Sequence, residues 1–390
     1  MDTAIADRVR AIITNLGVSD KTFAVTIGMP VDQLSKSLNG KRKFSAYELA
    51  VIAEAGNVSV DWLSTGVQRH RLGLAARTVG LGLLDYESEA RALAERYVDA
   101  SDVLLELDRR SPLPPLPTLP TSGRFVEEGR KAAEWALGRI DATVLLGPTA
   151  ELVEAIETSF GVDVANASEM PVGFDGLAFQ DDSVRLVLLL TTENWTRRRF
   201  TIAHELGHIV WGDAHEVIAE SLNPGGTADY KEKRANAFAA AFLMPETLLN
   251  EELAGRVIDH PVFHELVVRF RVSPSSLAVR LKSLSFIDEA TFNQLRHFRT
   301  RDSIAAIDGA AAIEIHEIAG AQVPLAPAKM VTEFLAAYRE GIISSAHLVN
   351  LTGQPESSWR ELLNDSLPSD DLEDGTSGPI DADTELAFAP

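Results

Sequence analysis

Thr201-Ile202-Ala203-His204-Glu205-Leu206-Gly207-His208 is the stretch on which the reading of this chain turns. His204 and His208 are four residues apart, so on an α-helix they stand on one face, one turn apart, and two imidazoles can reach one tetrahedral ion. Glu205 projects beside them, where a carboxylate can take a proton from an attacking water. A cation that polarises a carbonyl, next to a base that carries the proton to a departing amine, fits peptide hydrolysis. Phe200, Ile202, Ala203, Leu206, Ile209 and Val210 make the same helix apolar nearly all round. Two histidines and a glutamate in such a helix would be costly without partners, which argues against a chance occurrence of the pattern.

A hydrolytic zinc site needs a third protein ligand and an open position. Three candidates lie downstream. His215 ends the run His208-Ile209-Val210-Trp211-Gly212-Asp213-Ala214-His215, one residue longer than the metzincin spacing His-x-x-Gly-x-x-His, and Trp211 stands where that pattern has glycine. Asp213 is a carboxylate close to the helix end. Glu232 heads Glu232-Lys233-Arg234-Ala235-Asn236, which is similar to the gluzincin arrangement, where such a glutamate binds the metal and the residue four later supports the first histidine. Glu232 is favoured, with Asn236 behind His204, and His215 is left as a cleft or surface histidine. Tyr230 and His215 are candidates for stabilising an oxyanion or touching substrate. Arg197-Arg198-Arg199 reads either as a substrate-orienting cluster or as a solvated turn ahead of the helix. His260 and His264 also have i,i+4 spacing, but no glutamate follows His260 and Pro261 intervenes, so both are expected at the surface.

The 390 residues include no cysteine, which excludes disulfides and thiolate ligands and leaves His, Asp and Glu to hold a metal. Zinc is the expected ion, and manganese also suits a His/His/Glu set. The start Met1-Asp2-Thr3-Ala4 lacks the basic and apolar parts of a secretory signal, and no apolar run approaches the roughly 18 residues of a membrane span. A cytoplasmic protein without membrane contact is expected. A net charge of −21 argues against indiscriminate coating of nucleic acid. The charge is uneven, however: from Asp365 onward there are eight acids and no Lys or Arg, whereas residues 1–66 carry seven acids and seven bases.

The expected fold is multidomain and mostly α. Residues 1–68 form an all-α helix-turn-helix domain, with apolar spacing at Ile5, Val9, Ile12, Ile13 and Leu16 and stops at Gly17, Gly28 and Asn39-Gly40. Residues 69–120 are a helical connector followed by the Pro-rich run Ser111–Pro120, read as a spacer and a domain boundary. Residues 121–300 alternate helices with short strands, Val184–Leu190 being a buried one, and read as an α+β zincin-like (gluzincin) domain with a small sheet. A second helix-turn-helix-like segment falls near 262–284. Residues 301–365 are a helical C-terminal domain, and 366–390 an acidic, disordered tail.

Arg198–His208 resembles the signature of the ImmA/IrrE family of metallopeptidases, and Glu232–Pro245, a helix ending Leu243-Met244-Pro245, resembles its second signature. With Phe270–Leu281 the likeness covers roughly residues 120–300. By that resemblance His204, His208 and Glu232 are zinc ligands and Glu205 is the catalytic base. It also implies targets among helix-turn-helix repressors, cut at limited sites in stress or prophage switching.

Ser19–Gly28 followed by Leu34–Arg42 resembles the helix-turn-helix of phage-repressor (XRE) proteins. Ala24 is small enough for two helices to meet closely, and Phe23, Ile27, Leu34 and Leu38 can fill the seam. The third helix would enter the major groove with Asp32, Gln33 and Lys36 toward base edges, and Lys41, Arg42 and Lys43 near phosphates. A single module of this kind holds a short half-site weakly, so a homodimer is expected.

Together these readings describe a DNA-binding transcriptional regulator with a zinc metalloendopeptidase that cleaves a repressor-like protein or itself. The alternative is an antitoxin-like autoregulatory repressor that neutralises a partner toxin, with weak or no peptidase activity. In a third reading the 300–364 region binds a ligand that gates the peptidase.

Overall fold

The computed structural model describes residues 2–56, 63, 84–170, 175–181, 183–214 and 227–364. The tail 366–390 and part of the connector therefore lie outside the described residues. The described chain is mostly helical, with one small sheet.

Four helices build the N-terminal unit: α1 (Asp2–Leu16), α2 (Asp20–Thr26), α3 (Val31–Leu38) and α4 (Ala46–Ala55). Ser19 caps α2 by accepting the Thr22 N–H, as its side-chain chemistry favours. Phe23, Ala24, Leu34 and Leu38 are buried with Val9, Ile12 and Ile52, so the apolar residues of α2 and α3 face one core.

The middle of the chain is organised by a three-stranded sheet of order β1-β3-β2, where β1 is Asp163–Ala167, β2 Gly176–Gln180 and β3 Arg185–Leu190. Strand β3 pairs parallel with β1 and antiparallel with β2. A central strand buried on both faces needs a continuous apolar run rather than alternation, which accounts for Leu186-Val187-Leu188-Leu189-Leu190. Its residues divide between two cores. Val187 and Leu189, with Val164, pack with α6 (Phe125–Leu137), α7 (Thr149–Phe160), α8 (Trp195–Trp211) and α9 (Thr227–Leu243). Further helices close this core: α10 (Glu246–Leu253), α11 (His260–Phe270), α12 (Pro274–Ser283) and α13 (Glu289–Leu295). Next come α14 (Thr300–Ala306) and α15 (Ala310–Gln322), which meet Trp195 and Val268 in a small cluster.

Leu186 and Leu188 point the other way. With Ala165, Leu177 and Phe179 they meet α5 (Leu84–Glu106), α16 (Ala328–Arg339) and α17 (Ser345–Thr352). Trp359 of α18 (Glu356–Asn364) packs at the edge of this group. The connector helix and the C-terminal helices, which the sequence suggests as separate segments, thus share a core on the sheet's second face. The Pro-rich run between α5 and α6 is tied down as well. Leu116 and Leu119 pack against the first core, and the Pro114 carbonyl accepts a hydrogen bond from Arg185 at 2.8 Å.

His264 departs from the surface position expected for it. It is buried at 8% exposure, bonds Ser303 Oγ through Nδ1 at 2.9 Å and packs edge-on against Phe298, and burial holds its pKa below the ordinary value. His260 is exposed, as expected.

Candidate metal centre

Helix α8 starts where Asn194 caps it, accepting the Arg197 N–H, and runs through the first core with Ile202, Ala203, Leu206 and Ile209 fully buried. His204, Glu205 and His208 lie in its second half. Glu232 and Asn236 stand four apart on one side of α9, which packs against α8 through Phe238 and Gly207. The two helices bring His204, His208 and Glu232 together, with one ligand atom from each inside 4.8 Å of the others. Among the described residues this is the only such group of three.

The distances fit a shared cation. Glu232 Oε2 is 2.9 Å from His204 Nε2, its Oε1 is 2.9 Å from His208 Nε2, and the two Nε2 atoms are 3.2 Å apart. Ligands held at about 2.0–2.1 Å around a tetrahedral zinc stand roughly 3.3 Å from one another, so little adjustment is required. The outward nitrogens are engaged too: His204 Nδ1 meets Asn236 Oδ1 at 3.2 Å, and His208 Nδ1 meets Asp213 Oδ1 at 3.0 Å. An acceptor on Nδ1 fixes the proton there and leaves the Nε2 lone pair toward the centre. The donor set therefore fits zinc by number, type and orientation.

The electrostatics agree. Burial works against a charge on His208, but the Asp213 and Glu232 carboxylates outweigh it and push its pKa up to about 10. Burial likewise opposes the charge on Glu232, yet hydrogen bonds to both histidines pull its pKa down to about 2. A pocket that favours positive charge on His208 this strongly will attract a cation for the same reason. Burial raises the Glu205 pKa, against the lowering influence of His204 and His208. A raised carboxyl pKa suits a group that must accept a proton and release it again.

Asp213, one of the three candidate third ligands, stands behind His208. It contacts the far nitrogen of His208 instead of joining the ligand cluster. Gly212 adopts a left-handed conformation at φ 80°, and the turn brings Asp213 back under the helix end, where its N–H bonds the His208 carbonyl at 3.1 Å. The other Asp213 oxygen pairs with Arg234, which is buried, lies 3.5 Å from Glu128 and covers the Trp211 ring at 3.9 Å. The helix-stop signal at Gly212 followed by an acid was the available clue.

The remaining residues divide as follows. Tyr230 packs edge-on against Phe125, and its buried hydroxyl faces Glu128 without a well-formed hydrogen bond. His215 lies outside the described residues. The three arginines ahead of the motif are already helical and part company. Arg197 pairs with Asp175 at the surface, and Arg198 bonds Asn166 at 3.0 Å. Arg199 is fully buried and donates to the Leu145 carbonyl at 2.6 Å and to Thr149 Oγ1 at 3.2 Å. Burial lowers the Arg199 pKa to about 10, which still leaves it charged at neutral pH. This cluster is therefore neither a solvated turn nor a single substrate clamp.

Beside Glu205 runs edge strand β2. A Cβ placed on Gly176 would lie 2.5 Å from Thr201 Cγ2 and 3.2 Å from Glu205 Oε1, so the backbone there approaches the carboxylate as closely as glycine permits. With order β1-β3-β2, the outer side of β2 has no strand partner among the described residues.

In the N-terminal unit, Asp32 and Lys36 are exposed on α3 and pair with each other at 3.1 Å; Gln33 is half-buried and Lys41 and Lys43 are exposed. Arg42 is engaged internally, donating to both Glu48 oxygens at 2.9 and 2.7 Å and to Ser37 Oγ at 3.1 Å.

Residues 158–282 match the family model Peptidase_M78, described as the IrrE N-terminal-like domain. That span contains His204, Glu205, His208, Asp213, Glu232 and Asn236. The chain is also similar to the radiation response metalloprotease IrrE of Deinococcus radiodurans, at 34% identity over 119 residues. The similar stretch is 30% of this chain and 36% of that protein, so the chain spans about a third of the length of this curated relative. The likeness to IrrE-type proteins thus lies in residues 158–282, the stretch that holds the candidate metal centre.

Proposed function

We propose that the chain is a DNA-binding regulator whose IrrE-type domain is a zinc endopeptidase, acting by limited proteolysis on a helix-turn-helix repressor or on the chain itself. The observation that carries the reading is the convergence of His204, His208 and Glu232 beside a buried Glu205. Zinc held there supplies Lewis acidity toward a peptide carbonyl and acidifies the attacking water; manganese fits the same donors.

The chain's own residues account for the other requirements. Asn236 and Asp213 orient the two imidazoles. Glu205 would take the proton of the attacking water and deliver it to the leaving nitrogen. An extended peptide can add to the free edge of β2, with its backbone bonded to the strand and its carbonyl facing Glu205 across Gly176. Pairing of this kind reads backbone rather than side chains, so specificity rests on contacts beyond the strand.

DNA binding rests on α2 and α3, with Asp32, Gln33, Lys36, Lys41 and Lys43 as the contacting side chains; Arg42 acts through the shape of the loop it anchors to Glu48. A homodimer supplies two such helices to one operator. No helix among the described residues is long and apolar enough to cross a membrane. The test is incubation of the zinc-loaded full chain with the repressor-like proteins encoded beside its gene, in parallel with Glu205→Gln. The reading expects discrete fragments from wild type only. Intact substrates throughout, with a neighbouring toxin bound instead, would favour the antitoxin reading.

A further inference from the structure

A cavity of about 930 Å³ opens away from the metal centre, between the end of α5, the Pro-rich strap, α7, β1, α15 and the first turn of α16. Neither His204, His208 nor Glu232 lines it. Its volume is that of a small-molecule site, and Leu104, Leu113, Val153, Leu325 and Met330 give it apolar walls.

Most of its acids are spent on neighbours. Asp163 pairs with Arg110 at 2.5 Å, and Glu317 with Arg271 at 2.7 Å and with the Thr149 N–H at 3.1 Å. Glu333 and Glu340 hold Arg109. Glu157 is buried, one of its oxygens accepts the Val164 N–H at 3.1 Å, and burial pushes its pKa up to about 7. Glu154 is exposed at the rim. Two cations are not matched in this way. Arg198 donates one N–H of Nη2 to Asn166 Oδ1, and no hydrogen bond engages its Nη1 among the described residues. Lys329 makes neither an ion pair nor a hydrogen bond among the described residues, although its charge is felt at Glu157 and Asp163. Lys329 also sits in the first turn of α16, whose cap, Pro327, offers no side-chain acceptor to the leading N–H groups.

We infer that this cavity binds a small organic anion, its head between Arg198, Lys329 and the first turn of α16 and its apolar body against Leu104, Val153 and Met330. Arg198 belongs to α8, whose later turns carry His204 and His208, so a ligand that takes up its free donors acts on the first turn of the metal-bearing helix. Binding stands apart from the peptidase reading; only this coupling rests on it.

The test is calorimetric titration of the full chain with hexanoate, phenyl phosphate and the neutral control hexanamide. Variants are Arg198→Gln, Lys329→Gln and Gly320→Phe. Gly320 lines the cavity on α15 and a Cβ there meets nothing within 4 Å, so a larger side chain can start from this position without a clash at its first atom. At least one anion is expected to saturate a single site with Kd below about 1 mM. Arg198→Gln and Lys329→Gln each weaken it about tenfold or more, and Gly320→Phe abolishes it in a protein with unchanged helix content. The preferred anion identifies the head as carboxylate or phosphate. No saturation by either anion up to about 10 mM overturns the inference, as does equal binding of hexanamide or equal binding by all variants. Because Lys329 is exposed and Gly320 faces open space, two variants remain informative even if Arg198→Gln fails to fold.

Discussion

Replacing Asp213 separates two roles that the structure assigns to one side chain. One oxygen holds His208 Nδ1 at 3.0 Å, and the other neutralises Arg234; Asp213, His208 and Arg234 are all no more than 9% exposed. In Asp213→Ala, Arg234 keeps Glu128 at 3.5 Å, the Trp211 ring at 3.9 Å and the Tyr230 ring at 5.9 Å. Removing one partner of a buried ion pair costs about 3–5 kcal/mol, and the surviving partners place this case near 3 kcal/mol. Loss of the group that orients a metal-binding imidazole lowers affinity about 10–100-fold, or about 1.4–2.8 kcal/mol. Asp213→Asn retains a neutral acceptor for His208 but not the charge for Arg234. It should lose nearly as much stability while keeping more of the zinc affinity. Urea unfolding with chelator present measures the first quantity, and zinc competition against a chromophoric chelator the second. A folded Asp213→Ala that binds zinc within about twofold of wild type would refute the reasoning.

Other substitutions probe the frame around the site. The Glu157 pKa is raised from 4.5 to about 7, so between those values the folded chain keeps a proton that the unfolded chain has lost. Stability therefore falls as pH rises through this window, by at most about 3.4 kcal/mol. Glu157→Gln should be more stable than wild type at pH 8, with the advantage gone near pH 4.5; a constant difference across a pH series of melting curves would contradict this. A Cβ on Gly129 would sit 2.6 Å from the Arg234 carbonyl and 2.7 Å from the Phe238 nitrogen, forcing α6 away from α9. Gly129→Ala should cost about 1–3 kcal/mol in chemical denaturation and loosen zinc, since α9 carries Glu232. In the N-terminal unit, Lys41→Ala should weaken binding to the upstream duplex and reduce the salt slope by about one without altering the melt. Arg42→Ala should destabilise the unit through lost contacts to Glu48; the opposite pattern in filter binding and circular dichroism would reverse the two assignments.

The parts of this molecule that were legible in sequence are those set by local pattern. Helix α8 was legible because His204 and His208 stand one turn apart among Phe200, Ile202, Ala203, Leu206, Ile209 and Val210. Strand β3 was legible because burial on both faces demands consecutive apolar residues. The pairing of Glu232 with Asn236 comes from the likeness to the gluzincin arrangement, which a helix satisfies because residues four apart share one face. What stayed hidden depends on contacts distant in sequence or on a single turn. Asp213 reaches His208 only through the left-handed Gly212. Arg199 looks solvated in a run of three arginines, yet carbonyls at 144 and 145 line its burial site. His264 is buried by Ser303 and Phe298, which no local spacing foretells. The union of α5 with α16 and α17 likewise follows from the sheet's second apolar face, which says that something must cover it but not which segment.

The central claim is that His204, His208 and Glu232 hold a zinc that works with Glu205. Its most direct test is one incubation series, with zinc content measured on the same samples and fragments identified by mass spectrometry. Wild type should carry one zinc per chain and cut a helix-turn-helix partner at a discrete bond. Glu205→Gln should keep the zinc and lose the cutting, and Glu232→Ala should lose both. Zinc retained in Glu232→Ala, or equal cleavage by Glu205→Gln, would contradict the account.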